Sequence, residues 1–322
     1  MLGPVLLCFG GNMKKLLCVF LLFCLVGCQS ENDDHKSFDF VIIDDLNREV
    51  SFNQPKRVAT LLGSYADIWM LAGGEVIASA DDAWDDFNLP LSEEVINLGM
   101  TKDLNFEKLL ESNPDLIIAS SNTSGNLELL DSLESMDIPV IYVEVSNFND
   151  YLNVLKTCTT ITGRDDLYVE HGEKMKENIE MIIKHSEHRI KNEYIPKVLS
   201  LRASSTFIRA KNSSNNILGE MLADLGCINI ADSDESLLEN LSMEHIIIQD
   251  PDYIFFVQQG DNKEGTIENI QNFIKDNPAW SNLKAVKEGR VHILEKSLFA
   301  LKPNAKWDEA YEKLEVILSG QE

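Results

Sequence analysis

Arg202, Arg209 and Lys211 stand close together in a chain with 53 Asp and Glu against 28 Lys and Arg, a formal net charge of −25. Two guanidinium forks and an ammonium at such spacing suit carboxylate or catecholate oxygens, which accept charge-assisted hydrogen bonds. Solvated loop charges are the plainer alternative. Tyr65, Trp84 and Trp307 could offer flat apolar faces to a ligand, or could pack an ordinary core. A second signal is a repeated glutamate. Glu107 precedes Pro114-Asp115-Leu116-Ile117 at the interval by which Glu244 precedes Pro251-Asp252-Tyr253-Ile254. Two carboxylates on separate units could register both units on one partner. They could equally be first-turn glutamates favoured by a helix dipole.

Other chemistry finds less support. There is no Gly-x-Ser-x-Gly elbow, His-Glu-x-x-His or glycine-rich phosphate loop, so no catalytic residue is assigned and an enzyme is not expected. The adjacent acids Asp81-Asp82 and Asp85-Asp86 are expected from composition alone. His185 and His188 lie one turn apart on a charged stretch where histidines are ordinarily solvated, and His292 follows a strand-like residue. None carries a metal expectation. Cys158 and Cys227 are expected to be buried and inert, without a disulfide.

The elements that must position these residues follow from patterning. Residues 38–43 and 49–52 read as strands joined by the turn Asp44-Asp45-Leu46-Asn47. Strands at 58–62, 76–79, 115–119 and 139–143 then alternate with helices at 64–71, 106–112 and 126–136. Such alternation predicts a mainly parallel sheet covered on both faces. A helix over 149–162 stops at Gly163. Asp165 caps a long charged helix to about Lys191, with Met175, Ile179, Ile182 and Ile183 as its apolar stripe and a length of roughly 40 Å. After Pro196 the first half is echoed. Lys56-Arg57-Val58-Ala59-Thr60-Leu61 matches Lys197-Val198-Leu199-Ser200-Leu201, and helix 67–72 before Gly73 matches 217–225 before Gly226. Val58 to Val198 is 140 positions and Glu107 to Glu244 is 137, a nearly constant offset. The expected fold class is therefore α/β, with two similar lobes joined by a long rigid helix. The boundaries are an N-terminal lobe at 38–148, linking helices at 149–192 and a C-terminal lobe at 193–322.

The N-terminal end reads differently. Lys14 and Lys15 follow Met13, the expected initiator, and precede an uncharged run over 16–26 too short to span a bilayer stably. Leu25-Val26-Gly27-Cys28 resembles the lipobox of bacterial lipoproteins. It implies a signal peptide over 1–27, cleavage after small Gly27 and diacylglycerol on the Cys28 thiol. Two acyl chains at about 0.8 kcal/mol per buried CH2 hold where one binds only reversibly. Residues 28–37 then form a polar lipidated tether, and the protein is expected on the extracytoplasmic face of the cell membrane. The acidic surface excludes nucleic acid and anionic head groups as partners.

The ordered set of landmarks resembles the periplasmic-binding family for ferric siderophores, haem and vitamin B12. They are Asp45-Leu46-Asn47-Arg48-Glu49-Val50, Pro55-Lys56-Arg57-Val58, and 105–114 with Asp115-Leu116-Ile117-Ile118-Ala119. Near the end come Asn277-Pro278-Ala279-Trp280 and Ala285-Val286-Lys287-Glu288-Gly289-Arg290-Val291. The resemblance covers residues from about 45 to 322. It implies the class III periplasmic-binding fold and the capture subunit of an ABC importer. Such a subunit works as a monomer with a permease and an ATPase, and holds no resident cofactor. Glu107 and Glu244 then stand at the positions that dock on permease arginines. The ligand, most readily a ferric siderophore with haem or cobalamin behind it, would lie in a cleft built by loops after the strands. That selects Tyr65, Trp84 and Met100 from the first lobe. From the second it selects Arg202, Arg209, Lys211, Gln258 and Gln259, with Phe299, Lys302 and Trp307 near the end. Tyr65 or Met100 could sit on a haem axis. The family often has Pro and Glu after its first strand, where this chain has Gly63-Ser64-Tyr65-Ala66-Asp67, and Asn47 stands where Gly is common. The rival reading is a tethered sensory or adhesive lipoprotein using the same fold without transport.

Overall fold

Runs of apolar residues too short for helices become strands buried on both faces. The computed structural model describes residues 37–191, 195–233, 237, 238, 241–260 and 262–320. Cys28, the segment before it and the tether up to 36 lie outside them. The chain starts with a hairpin, β1 (Phe40–Ile43) antiparallel to β2 (Glu49–Phe52). Its turn is held by Asp44, whose carboxylate accepts the N–H groups of Leu46 and Arg48 at 3.0 and 2.9 Å. Asn47 has φ of 60°, which asparagine tolerates better than most residues, so glycine is not required there.

The first lobe continues with β3 (Val58–Thr60), α1 (Gly63–Leu71), β4 (Val76–Ser79), α2 (Asp82–Asp85), β5 (Ile96–Asn97) and α3 (Phe106–Glu111). It closes with β6 (Leu116–Ser120), α4 (Ser124–Leu127), α5 (Leu130–Glu134) and β7 (Val140–Val143). The strands form one parallel sheet ordered β5-β4-β3-β6-β7. β3, β6 and β7 are buried throughout, as a sheet covered on both faces requires. The helix expected over 126–136 is two short helices, α4 and α5.

The link is α6 (Phe148–Thr162), opened by a capping box between Asn147 and Asp150, then α7 (Asp165–Tyr168) and α8 (Lys174–Lys191). Between α7 and α8, Val169–Glu173 winds as a wider π turn, so the long helix is not one uniform rod. Gly172 in that turn is buried, and a Cβ there would meet Leu152 and Tyr168 at 3.2 and 3.3 Å.

The second lobe holds β8 (Lys197–Ala203), β9 (Ile208–Lys211), α9 (Ile217–Asp224), β10 (Ile228–Asn229), α10 (Met243–Gln249) and β11 (Tyr253–Gln258). It ends with α11 (Lys263–Asp276), α12 (Lys284–Lys287), β12 (Val291–Leu294), α13 (Lys296–Phe299) and α14 (Trp307–Ser319). Its sheet runs β10-β8-β11-β12 in parallel, with β9 antiparallel to the end of β8.

The repeat has a structural cause. Asp115 accepts the Lys56 N–H at 2.9 Å, and Asp252 accepts the Lys197 N–H at 2.9 Å. Each Pro-Asp thus anchors the entry of its lobe's central strand. Facing the link, one apolar core runs from Tyr65 and Trp69 through Phe148 and Tyr151 to Phe255, Trp307 and Leu314. Separate cores fill the far face of each sheet, around Tyr142 in the first and Trp280 in the second. Cys158 and Cys227 are buried and neither is in a disulfide, and burial pushes Cys158 up to about 12, so it stays protonated.

Candidate ligand-binding cleft

A parallel sheet delivers the carboxyl ends of its strands to one edge, and the loops after them gather there. Segments after β4 and β5, and after β11 and β12 with the end of β8, line a cavity of about 410 Å³. One wall is acidic. Asp81, Asp82, Asp85 and Asp86 all face it from the β4–α2 segment. Gly63 makes this wall possible, because a Cβ on it would lie 2.4 Å from the Ala83 nitrogen. Without one, α1 starts close enough for the Gly63 N–H to donate to Asp82 at 2.7 Å. Burial pushes Asp82 up to about 6, aided by neighbouring Asp86 and Asp81 and opposed by the Gly63 hydrogen bond. Lys296 on α13 of the second lobe reaches over to Asp86, with Nζ 2.6 Å from Oδ1.

The other wall is cationic. In the β8–β9 pairing Arg202 lies directly opposite Arg209, and Ser200 opposite Lys211. With the two-residue period of a strand, Arg202, Arg209 and Lys211 therefore share one face. Like charges placed opposite each other are unfavourable. Among the described residues no carboxylate lies within ion-pair distance of any of them. Burial holds Arg202 below its usual range, and Lys211 is lowered by burial and by Arg202 and Arg209. Arg202 lines the cavity, whereas Arg209 and Lys211 stand beside it, Arg209 with its guanidinium 5.1 Å above the Phe207 ring.

The structure separates the remaining candidates. Met100 lines the cavity and is 61% exposed. Gln259 lines it too, its N–H donating to the Ala203 carbonyl at 2.7 Å. Gln258, paired with Ala203, is directed to the sheet face away from Arg202, with a buried Nε2 that has no hydrogen-bond partner. Trp84 is half-buried on α2 but outside the lining. Tyr65, Phe299 and Trp307 are core residues. Trp307 is fully buried, 5.8 Å from the Phe148 ring and 6.3 Å from Tyr151. The Tyr65 hydroxyl donates to the Val143 carbonyl at 2.7 Å, and burial raises its pKa well above the usual phenol range. It is a neutral donor turned into the core. The lining residues that sequence reading passed over are chiefly Asp81, Asp82, Asp85, Asp86, Lys102 and Lys296. Their signal was position, since each follows a strand by only a few residues.

Lys302 sits behind this wall, its ammonium 5.0 Å above the Tyr65 ring. Burial lowers it to about 8, against the pull of Asp82 and Glu144. A Lys that falls from 10.5 to about 8 on folding binds fewer protons in the native state between those values. Stability therefore rises as pH climbs through that window. Lys302→Met is expected to melt higher than the unaltered protein at pH 7 and to lose the alkaline rise. Thermal unfolding from pH 7 to 10.5 measures this, and parallel curves for the two proteins would contradict it.

Glu107 and Glu244 occupy matched places. Each is exposed in the first turn of a short helix, α3 or α10, behind a side-chain cap from Asn105 or Ser242. Neither has an ion pair among the described residues. His185 stands on α8 beside Glu315, and the His188 side chain is not among those described. No group of three or more His, Cys, Asp and Glu able to hold a metal occurs among the described residues. No described helix is long and apolar enough to cross a membrane.

Two parallel-sheeted lobes, linked through long helices and opening on a cleft at the strand ends, define a class III periplasmic-binding fold. The chain belongs to the periplasmic binding protein family, whose family model matches residues 58–298. It is 28% identical over 295 residues to the Fe(3+)-citrate-binding protein YfmC of Bacillus subtilis, covering 88% of this chain and 90% of that one. Among solved structures it is similar to Staphylococcus aureus SirA complexed with staphyloferrin B, at TM-score 0.68 and 20% identity, covering 87% and 98% of the two chains. S. aureus IsdE complexed with heme matches at TM-score 0.67 and 16% identity, over 81% and 98%. At such identities the structures speak for the fold alone.

Proposed function

We propose that this protein is the substrate-binding lipoprotein of an ABC importer, and that its cargo is an anionic ferric complex of the siderophore type. The observation that carries the reading is the face shared by Arg202, Arg209 and Lys211. Three cations without a described counter-ion, Arg202 lining the cleft and Arg209 and Lys211 beside it, in a chain of net charge −25, are a standing electrostatic cost unless an anion completes them. The relative that binds Fe(3+)-citrate supports the same class of cargo. Haem and cobalamin rank behind it, and the inward-turned Tyr65 removes one axial ligand that haem could have used. In this reading Cys28 carries the lipid at the outer face of the cell membrane, and residues 38–148 and 193–322 are the two lobes. Glu107 and Glu244 meet the permease, and an ATPase drives release.

Titrating residues 29–322 with ferric citrate, a ferric carboxylate siderophore, haem and cobalamin tests the proposal by tryptophan quenching and visible spectra. A ferric carboxylate complex is expected to bind below about 10 μM, or roughly −7 kcal/mol. Tighter binding of haem or cobalamin would reassign the cargo. The absence of binding by all four would sink the reading.

A further inference from the structure

The cations of the second lobe differ in where they stand. Arg202 lines the cavity, while Arg209 and Lys211 lie on β9, the outer strand paired to the end of β8. Arg209 is exposed and Lys211 half-buried. Residues directly opposite on antiparallel strands have Cα atoms about 5 Å apart, and alternate residues along a strand about 7 Å. The three charges therefore form one strip from the cavity onto the edge strand, spanning roughly one Debye length at physiological salt. The first lobe offers the opposite sign, because Asp81, Asp82, Asp85 and Asp86 all face the cavity. The entrance is thus polarised, attractive to an anion over β9 and repulsive over the β4–α2 segment.

We infer that Arg209 and Lys211 are an electrostatic guide that draws an anionic ferric complex along β9 to Arg202, which then holds it. Such guidance presumes the anionic cargo proposed above. The need for it comes from the rest of the chain. At a net charge of −25 the protein as a whole repels an anion, so fast capture depends on a local field of the other sign. Among the described residues no carboxylate pairs with Arg209 or Lys211, so their field is not cancelled at its source. Neither lines the cavity, and so neither is placed to grip a complex seated there. Attraction of this kind raises the rate of encounter and leaves the seated complex largely unchanged.

Stopped-flow tryptophan quenching on residues 29–322, which contain the compact unit Phe38–Glu322, tests this with ferric citrate and a ferric carboxylate siderophore. In low salt the double variant Arg209→Gln, Lys211→Gln is expected to bind them about tenfold more slowly and to release them at an unchanged rate. At about 1 M salt, where the Debye length is about 3 Å, the variant and the unaltered protein should associate alike. Lys275→Gln also removes a cation, from an exposed place in the last turn of α11, and should leave both rates as they are. An association rate untouched in the double variant overturns the guide. Equal slowing in Lys275→Gln overturns it too, by tracing the effect to net charge. Release about tenfold faster in the double variant would make the two residues direct ligands, and that also overturns the guide. Failure of the unaltered protein to bind either complex would sink the anionic-cargo reading itself, and the guide with it.

Discussion

Arg202→Ala is expected to weaken capture of an anionic ferric complex by about 100-fold, close to 3 kcal/mol. Arg202 is the member of the cationic face that reaches the cavity itself, and burial already disfavours its charge. A ligand carboxylate there makes a paired, charge-assisted contact in a partly desolvated site, where truncation costs 2–5 kcal/mol as an order of magnitude. Arg202→Lys keeps the charge but not the fork, and should recover only part of the loss. Arg209→Glu sharpens the test because its two effects have opposite signs. It gives Arg202 a cross-strand counter-ion, so the protein should melt higher while affinity falls. Calorimetry with the ferric complex and thermal unfolding read the two effects. Unchanged affinity in both Arg202→Ala and Arg209→Glu would move the ligand away from β8 and β9.

The second large effect concerns uptake. The double variant Glu107→Ala, Glu244→Ala is expected to abolish iron uptake by cells while the purified protein keeps its ligand affinity. Both residues are exposed and lie outside the lining of the cleft, so losing them does not reach the ligand. Each removes at most a favourable term with its own short helix, roughly 0.3–1 kcal/mol, and folding survives. In the docking role proposed above, what disappears is a pair of anchors, one per lobe, able to engage two cations of a permease together. Either single variant should retain partial uptake, because one anchor still steers the encounter. Radiolabelled iron accumulation and a binding titration on the same variants decide it. A loss of affinity would place these glutamates at the ligand, and full uptake by the double variant would leave docking to other residues.

Much of the architecture was legible because it depends on local and repeating constraints. Alternating apolar runs and caps located the strands and most helices. The Glu-to-Pro-Asp echo marked real equivalence, since Asp115 and Asp252 do the same job at strands β3 and β8. Other features were not legible. Strand β9 is only four residues long, and Arg209 and Lys211 on its charged face made it look like a loop; it is a strand because β8 offers an edge beyond the short β10. At the π turn before α8, Gly172 leaves little room for a side chain against Leu152 and Tyr168, a closeness that helical periodicity does not encode. Tyr65 and Trp307 carry side chains equally suited to a cleft or a core, and only the three-dimensional path of α1, α6 and α14 sends them inward.

The cationic cluster marks the same division. By itself the sequence determined that Arg202, Arg209 and Lys211 are close along the chain, that they oppose the overall charge, and that they lie in an α/β fold whose strand ends gather loops. Those are properties of composition and short-range patterning. Tertiary structure alone decided that β8 and β9 turn all three to one face, that Arg202 is the one to reach the cavity, and that the Asp81–Asp86 segment stands among the facing residues. Side-chain direction on a strand flips with a one-residue change of register, and register is set by long-range pairing.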